Sequence, residues 1–167
     1  MKNSHSQEIA ATTLATPIGK LFLAASPRGL QRVEFPGERS SAVSSARSQN
    51  ARSRAHLARA ARQLREYFAG RRTAFDLPLD LAGSDYQQRV WRALVRIPAG
   101  RTLTYGAVAA QLGSKNAARA VGRACATNPI PVVVPCHRVV DSRGELHGYG
   151  GGLWRKQLLL DLERSAT

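Results

Sequence analysis

The sequence predicts an α+β protein in two parts: a small sheet with one helix over residues 1–80, then a mostly helical part over 85–167 that contains a helix-turn-helix. Three observations carry that prediction. Short apolar or alternating runs broken by turn residues fill the first third, which is strand patterning. From Ser84 onward apolar residues recur three and four apart, which is helical patterning. Between the two lies "AFDLPLDLAG", whose alternation reads as an edge strand with Pro78 restricting its pairing, leading into a linker near 78–86.

"GKLFLAAS" (19–26) and "LQRVEF" (30–35), separated by "PRG", read as a β-hairpin. Residues 38–54, rich in Ser, Ala and Arg, read as a loop running into a helix. Over 55–68, Leu57, Ala61, Leu64 and Phe68 keep helical spacing with arginines on the other faces. Nothing in 1–80 carries recognisable chemistry, so this part reads as scaffold. Ser84 with Gln87 forms a capping box, and Tyr86, Val90, Leu94 and Ile97 give the next helix its apolar face, ending at "IPAG". Thr104 caps a following helix in which Tyr105, Val108, Ala109 and Leu112 share a face and Gly113 closes it. After "SKN", a third helix at about 116–126 completes the helix-turn-helix outline. In it, Ala117, Val121 and Cys125 form the expected buried face. Arg119 and Arg123 point elsewhere together, and the surface between them is alanine and glycine. Small residues let a helix approach a phosphate backbone closely, and the arginines supply charge.

Composition narrows the class. The chain has 25 basic and 11 acidic residues, formally +14, which predicts attraction to a polyanion, nucleic acid first. No apolar run is long enough to span a membrane, and "MKNSHSQEIA" lacks the apolar core of a signal peptide, so the expectation is a soluble cytoplasmic protein. Two cysteines, Cys125 and Cys136, make no disulfide framework, and both are expected to be reduced thiols. The four histidines lack metal-ligand spacing, so no metal is expected.

The chemistry concentrates at "NPIPVVVPCHRVV". The run Val132–Val134 reads as a buried strand, and Pro135, lacking an amide hydrogen, ends its pairing, which delivers Cys136 at a strand end. An unperturbed thiol is only a few per cent ionised at neutral pH, so a nucleophilic cysteine needs help. His137 is the candidate base and Arg138 adds positive potential. On an extended strand adjacent side chains point to opposite faces, so His137 would reach the sulfur only through irregular backbone or a bridging water. A carboxylate should then orient the imidazole; Asp141, Glu145, Asp161 and Glu163 are all candidates. The bland alternative is a buried structural cysteine.

"PCHRVV" after "NPIPVVV", followed by "GYGGGLWRKQLLLDLE", resembles the O6-alkylguanine-DNA alkyltransferases, direct-reversal DNA repair proteins. "QQRVWRALVRIPAGRTLTYGAVAAQLG" and "NAARAVGRACATNP" extend the likeness over about 85–163, and "TPIGKLFLAASPRGLQRVEF" is similar to that family's ribonuclease-H-like first domain. The resemblance implies that Cys136 accepts the alkyl group from guanine O6, irreversibly and once, without cofactor or metal. It implies that His137 is the base, acting through a water, with Glu163 orienting it and Asn128 bracing the active-site turn. Arg119 would fill the gap left by the extruded nucleotide, on a helix whose Ala118, Gly122 and Arg123 also face DNA. Tyr105 would press on the target nucleotide and assist proton delivery. Tyr149, Gly150, Cys125, Pro131 and Val139 would form the substrate pocket. The implied partner is double-stranded DNA containing O6-alkylguanine, entered through the minor groove by a monomer, with cooperativity on DNA and O4-alkylthymine as a second substrate left open.

Gly150 departs from relatives that carry a hydroxyl residue after the pocket tyrosine, and Cys125 places a second thiol near the pocket. The first domain lacks the cysteines that hold zinc in some relatives. Two other readings stay on the table: a non-enzymatic module that binds alkylguanine and signals to other repair, and a basic thiol hydrolase.

Overall fold

The computed structural model describes residues 8–38 and 48–167. The chain divides into two compact units, 1–81 and 82–167.

The first unit is a three-stranded antiparallel meander backed by one helix. Strands β1 (Ala10–Thr16), β2 (Gly19–Ser26) and β3 (Gly29–Glu34) lie in that order. β2 and β3 form the expected hairpin, but β1 was not foreseen. Its sequence, AATTLAT, has one large apolar residue, so local alternation is weak. Pairing along its whole length supplies the missing signal, from Ala10 opposite Ala25 to Thr16 opposite Gly19. Helix α1 (Ala51–Phe68) starts four residues earlier than the apolar spacing suggested. The side chain of Asn50 accepts from the amides of Arg52 and Ser53, which fixes the first turn there. The core joins Leu14, Leu21, Leu23, Leu30 and Val33 of the sheet to Ala60, Ala61, Leu64 and Tyr67 of α1. Most of the loop expected within 38–54 lies outside the described residues.

The stretch 74–83 is not an edge strand. It makes one parallel bridge, Leu30 to Leu79, in which the Leu30 amide donates to the Pro78 carbonyl (2.9 Å) and the Asp80 amide to the Leu30 carbonyl (2.8 Å). Pro78 offers an acceptor but no donor, so the ladder goes no further. Gly29 (φ 152°) is needed where this segment arrives, because a Cβ there would collide with the Pro78 carbonyl.

The second unit begins with helix α2 (Asp85–Val95), whose capping box is complete: Ser84 receives the Gln87 amide, and Gln87 receives the Ser84 amide. Its buried side is Val90, Trp91 and Leu94, with the Trp91 indole donating to the Ala124 carbonyl at 2.8 Å. Strand β4 (Leu103–Thr104) leads into helix α3 (Tyr105–Gln111), capped by Thr104 Oγ1. Gly113 (φ 79°) turns the chain after α3, and helix α4 (Ala118–Ala126) packs against it. The buried residues of α4 are Val121 and Ala124; Ala117 sits at the N-cap and Cys125 is half-buried, so the expected face is rotated.

The largest correction falls at "PIPVVVPCHR". Val132–Val134 is no strand. The Val134 amide closes back on the Ile130 carbonyl (2.9 Å), and Val132 takes φ 74°, a left-handed conformation costing a β-branched residue about 1–3 kcal/mol. Pro129, Pro131 and Pro135 remove three amide donors around the run, which works against a ladder. The apolar run reports burial, which is complete from Ile130 to Val140, and not strand pairing. Cys136–Arg138 is a 3-10 turn, followed by strand β5 (Val139–Val140), parallel to β4. Helix α5 (Leu153–Ala166) closes the unit, burying Lys156, Leu159, Leu160 and Glu163 along one face. No described helix is long and apolar enough to cross a membrane.

Candidate active site around Cys136

The folded-back segment and the 3-10 turn place Cys136 6% exposed, with its amide donating to the Val134 carbonyl at 2.8 Å. Asn128 organises this turn with one side chain. Its Oδ1 accepts from the Ile130 amide (2.9 Å), and its Nδ2 donates to the Val134 carbonyl (2.8 Å) and to the Cys136 sulfur (3.2 Å). Burial pushes the Cys136 thiol up; the Asn128 hydrogen bond and the Lys156 charge pull the other way.

Behind the thiol lies a wholly buried polar cluster. His137 Nε2 is 2.6 Å from Glu163 Oε1, and both side chains are buried. Arg138 grips the same carboxylate, Nε to Oε2 at 3.0 Å and Nη2 to Oε1 at 2.8 Å, and also donates to the Ile97 carbonyl. Burial pushes Glu163 up, but its bonds to His137 and Arg138 outweigh this and hold it at about 2. Burial is also the largest influence on His137 and lowers its pKa, against the pull of Glu163. The consistent state is an ionised Glu163 paired with Arg138 and a neutral His137 whose Nε2–H donates to the carboxylate. That leaves the Nδ1 lone pair as the basic site. Nδ1 is buried and has no hydrogen-bond partner among the described residues. Arg138 therefore serves the carboxylate and not, as the sequence suggested, the thiol.

The thiol opens into a cavity of about 580 Å³ lined by Tyr105 of α3, by Ala118, Arg119, Gly122, Cys125 and Ala126 of α4, and by Asp141 and His147–Gly150. The small residues of α4 make this wall shallow. Gly122 lies beside the Tyr105 ring, which an added Cβ would meet at 3.9 Å, an ordinary van der Waals contact. Tyr105 Oη donates to the His147 carbonyl at 3.4 Å. Burial raises the Tyr105 hydroxyl to about 12, and burial followed by the neighbouring Cys136 raises the Cys125 thiol to about 12, so both keep their protons at neutral pH.

Among the residues expected at the site, the structure brings Tyr105, Ala118, Arg119, Gly122, Cys125, Cys136, Tyr149 and Gly150 to one cavity. Arg123 is exposed and lies outside the lining; Pro131 and Val139 are buried in the chain around the thiol turn and also lie outside it. Sequence reasoning missed Lys156. Its side chain has 0% exposure, and its ammonium donates to the carbonyls of Val139 (2.7 Å) and His147 (2.9 Å). A signal existed: Lys156, Leu159, Leu160 and Glu163 recur at 0, 3, 4 and 7, so the lysine occupies a core position of α5.

Both halves of the chain match known family models: residues 9–81 match the 6-O-methylguanine DNA methyltransferase ribonuclease-like domain, and residues 85–165 the DNA-binding domain of the same family. A methylated-DNA–protein-cysteine methyltransferase of Mycolicibacterium paratuberculosis is 49% identical over 91% of this chain and 90% of its own length. One from Methanosarcina barkeri is 41% identical over 91% and 95%. Among solved structures, Mycobacterium tuberculosis OGT in complex with DNA superposes with a TM-score of 0.84 at 44% identity, covering 94% of both chains. Two domain matches, these identities over nearly full length, and a buried Cys-His-Arg turn facing a cavity lead to one conclusion: the chain belongs to the 6-O-methylguanine DNA methyltransferase family.

Proposed function

We propose that this chain repairs double-stranded DNA by moving the alkyl group from O6 of an alkylated guanine onto its own Cys136, once per molecule. The observation that carries the reading is the juxtaposition of a buried thiol with a buried His137–Glu163 pair, at a cavity that Arg119 also lines. A thiol 6% exposed cannot touch a base stacked inside a duplex, so the nucleotide has to leave the helix and enter the cavity. We read α3 and α4 as a helix-turn-helix that enters the minor groove, where Arg119 occupies the gap in the stack and Ala118 and Gly122 allow close approach. Arg123 and the general basic excess contact phosphate without reading sequence. The domain division at 1–80 and 85–167 assigns binding and transfer to the second part.

The chemistry is a single displacement. The Cys136 proton passes to His137 Nδ1 through a water, while Glu163 holds the ring from Nε2 and stabilises its positive charge. Sulfur attacks the alkyl carbon; the S–C bond forms as the C–O6 bond breaks, and the electron pair leaves with the guanine. The guanine takes a proton delivered through Tyr105, whose hydroxyl remains protonated near neutral pH. The proton lost by the thiol thus balances the one gained by the base. Asn128 keeps the sulfur aimed, Tyr149, Gly150 and Cys125 shape the pocket, and Pro131 and Val139 belong to the buried backbone around the thiol turn. The thioether product has no route back to a thiol, so no turnover follows. The protein is a monomer in solution and works in the cytoplasm, without a cofactor or metal.

Titrating a duplex that holds one O6-methylguanine with increasing protein tests the reading. The expected result is lesion loss that saturates at one per chain. Binding without lesion loss would make the protein a recognition module, and loss well beyond one per chain would make it a hydrolytic enzyme.

A further inference from the structure

Half of the basic excess lies in the unit that does not hold the thiol. Residues 1–81 contain thirteen basic and six acidic residues, and 82–167 contain twelve and five, so each unit carries a net charge of +7. In the second unit the arginines of α4 stand at or beside the cavity. In the first unit the excess is concentrated elsewhere: residues 51–72 hold seven arginines against one acidic residue, Glu66.

Helix α1 sets these arginines on its outer side. Its inner side, with Ala60, Ala61, Leu64 and Tyr67, packs against the sheet. Every exposed position of the helix is alanine or arginine, and Arg54, Ala58, Arg62 and Arg65 follow one another at i, i+4, i+8 and i+11, which makes them a single stripe. The stripe runs about 16 Å along the axis. Helix α4 obeys the same rule, exposing only Arg119, Arg123 and Ala126. The other helices do not: α2 exposes Asp85, α3 Gln111 and α5 Trp154.

Local energetics work against this arrangement in the free protein. The first turn of α1 has no acidic residue, although the helix dipole favours one there, and Arg52 stands in that turn instead. Arg62 and Arg65, three apart, repel each other. Among the described residues Arg52, Arg54, Arg65 and Arg71 form no ion pair, and Arg62 reaches Glu66 only at 3.8 Å. A helix that only backed a sheet would gain from glutamates among these arginines. A polyanion along the stripe turns the same charges to advantage: the alanines let a phosphate backbone come close, and each guanidinium offers paired donors to phosphate oxygens.

We propose that the outer face of α1 is a second contact surface for duplex DNA, gripping phosphates through Arg54, Arg62 and Arg65 without reading sequence. The inference rests on duplex DNA being the partner of this chain, and it extends binding from the second unit to the first. Such contacts add affinity for any duplex, so they serve retention on undamaged DNA and not the displacement at Cys136.

Lesion-free DNA therefore tests it. Binding of a fluorescent, unmodified duplex is followed by anisotropy across salt for the full chain and for the triple variant Arg54→Gln, Arg62→Gln, Arg65→Gln. Three lost phosphate contacts should make the slope of log K against log salt shallower by about two to three, with binding about tenfold weaker or more near physiological salt. The same slope and affinity in both proteins would overturn the proposal. So would unchanged duplex binding with lost binding to phosphatidylserine vesicles, which would give the face to a lipid surface. A measurement without substitution guards against a variant that folds poorly: phenylglyoxal modification of arginines, read by peptide mass spectrometry with and without the unmodified duplex. Arg54, Arg62 and Arg65 should be protected along with Arg119, while Arg28, 81% exposed in the same unit, reacts as it does in the free protein. Protection of Arg119 without protection of the α1 arginines would sink the proposal. The duplex holds no alkylguanine, so failure here leaves the transfer reading standing, and a protein that binds but does not transfer leaves these measurements intact.

Discussion

Each unit buries one carboxylate against an arginine, and the two are put to different use. Asp80 in the first unit receives the Ser26 hydroxyl at 2.6 Å and pairs with Arg28 at 3.0 Å, and Arg28 itself is 81% exposed. The result pins a turn and leaves nothing for chemistry. Glu163 in the second unit is held by an arginine buried with it and passes its remaining capacity to an imidazole. That imidazole ends in a buried nitrogen that has no hydrogen-bond partner among the described residues. A buried acid that ends its hydrogen bonds in backbone and surface is structural. One that hands them to a titratable ring with an open position is poised to act.

Removing the two carboxylates sharpens that contrast most. Glu163→Gln leaves Arg138 buried without its anion, which should cost about 3–5 kcal/mol, and transfer should fall far more than stability explains because the ring loses its orienting charge. Asp80→Asn should cost about 1–3 kcal/mol for the disturbed hydrogen bonds and leave transfer unchanged. Denaturant melts paired with single-turnover rates decide. A slow Asp80→Asn protein with native stability would break the division between the two sites.

Arg119→Ala comes next. Transfer from duplex DNA should slow by about one to two orders of magnitude, the loss of a few kcal/mol toward flipping, while transfer from free O6-benzylguanine stays normal. An equal loss on both substrates would mean that Arg119 shapes the cavity and does not serve the duplex.

Acid should act through the second unit. Glu163 is held at about 2, below its unfolded value, so its contribution is complete above pH 4.5 and fades as pH falls toward 2. His137 has a lowered pKa, so it too binds its proton less readily when folded, and stability declines as pH drops below about 6.5. Both signs agree: the unit loses stability on acidification. Melts at pH 7, 5.5 and 4 should show a steady decline that Glu163→Gln reduces below pH 4.5. The smallest effect is Asn50→Ala, which removes the cap of α1 and should cost about 1 kcal/mol with no change in transfer.

Helices were the most legible part of the sequence, because their starts are written in side chains: Ser84 with Gln87 and Thr104 stand where the structure has them. Strands were less so. β1 carries one large apolar residue and is fixed by its neighbour, which local pattern does not contain. Val132–Val134 misled in the opposite way: its composition is that of a strand, but three prolines around it work against a ladder. At the site, Cys136, His137 and the pool of four carboxylates were readable from residue type, and choosing Glu163 among them required the family likeness. The partner of Arg138 was not readable, and Lys156 was marked only by its place in the 0, 3, 4, 7 repeat of α5, since whether a basic side chain meets water, a carboxylate or a carbonyl depends on helix α5 arriving from residues 153–166.

The most direct measurement is peptide mass spectrometry after mixing the reduced protein with a duplex containing one O6-methylguanine. The account predicts one methyl group on the peptide that carries Cys136, saturating at one per chain, and none on Cys125. Tight binding with no mass gain, or a methyl group on Cys125 instead, would contradict it.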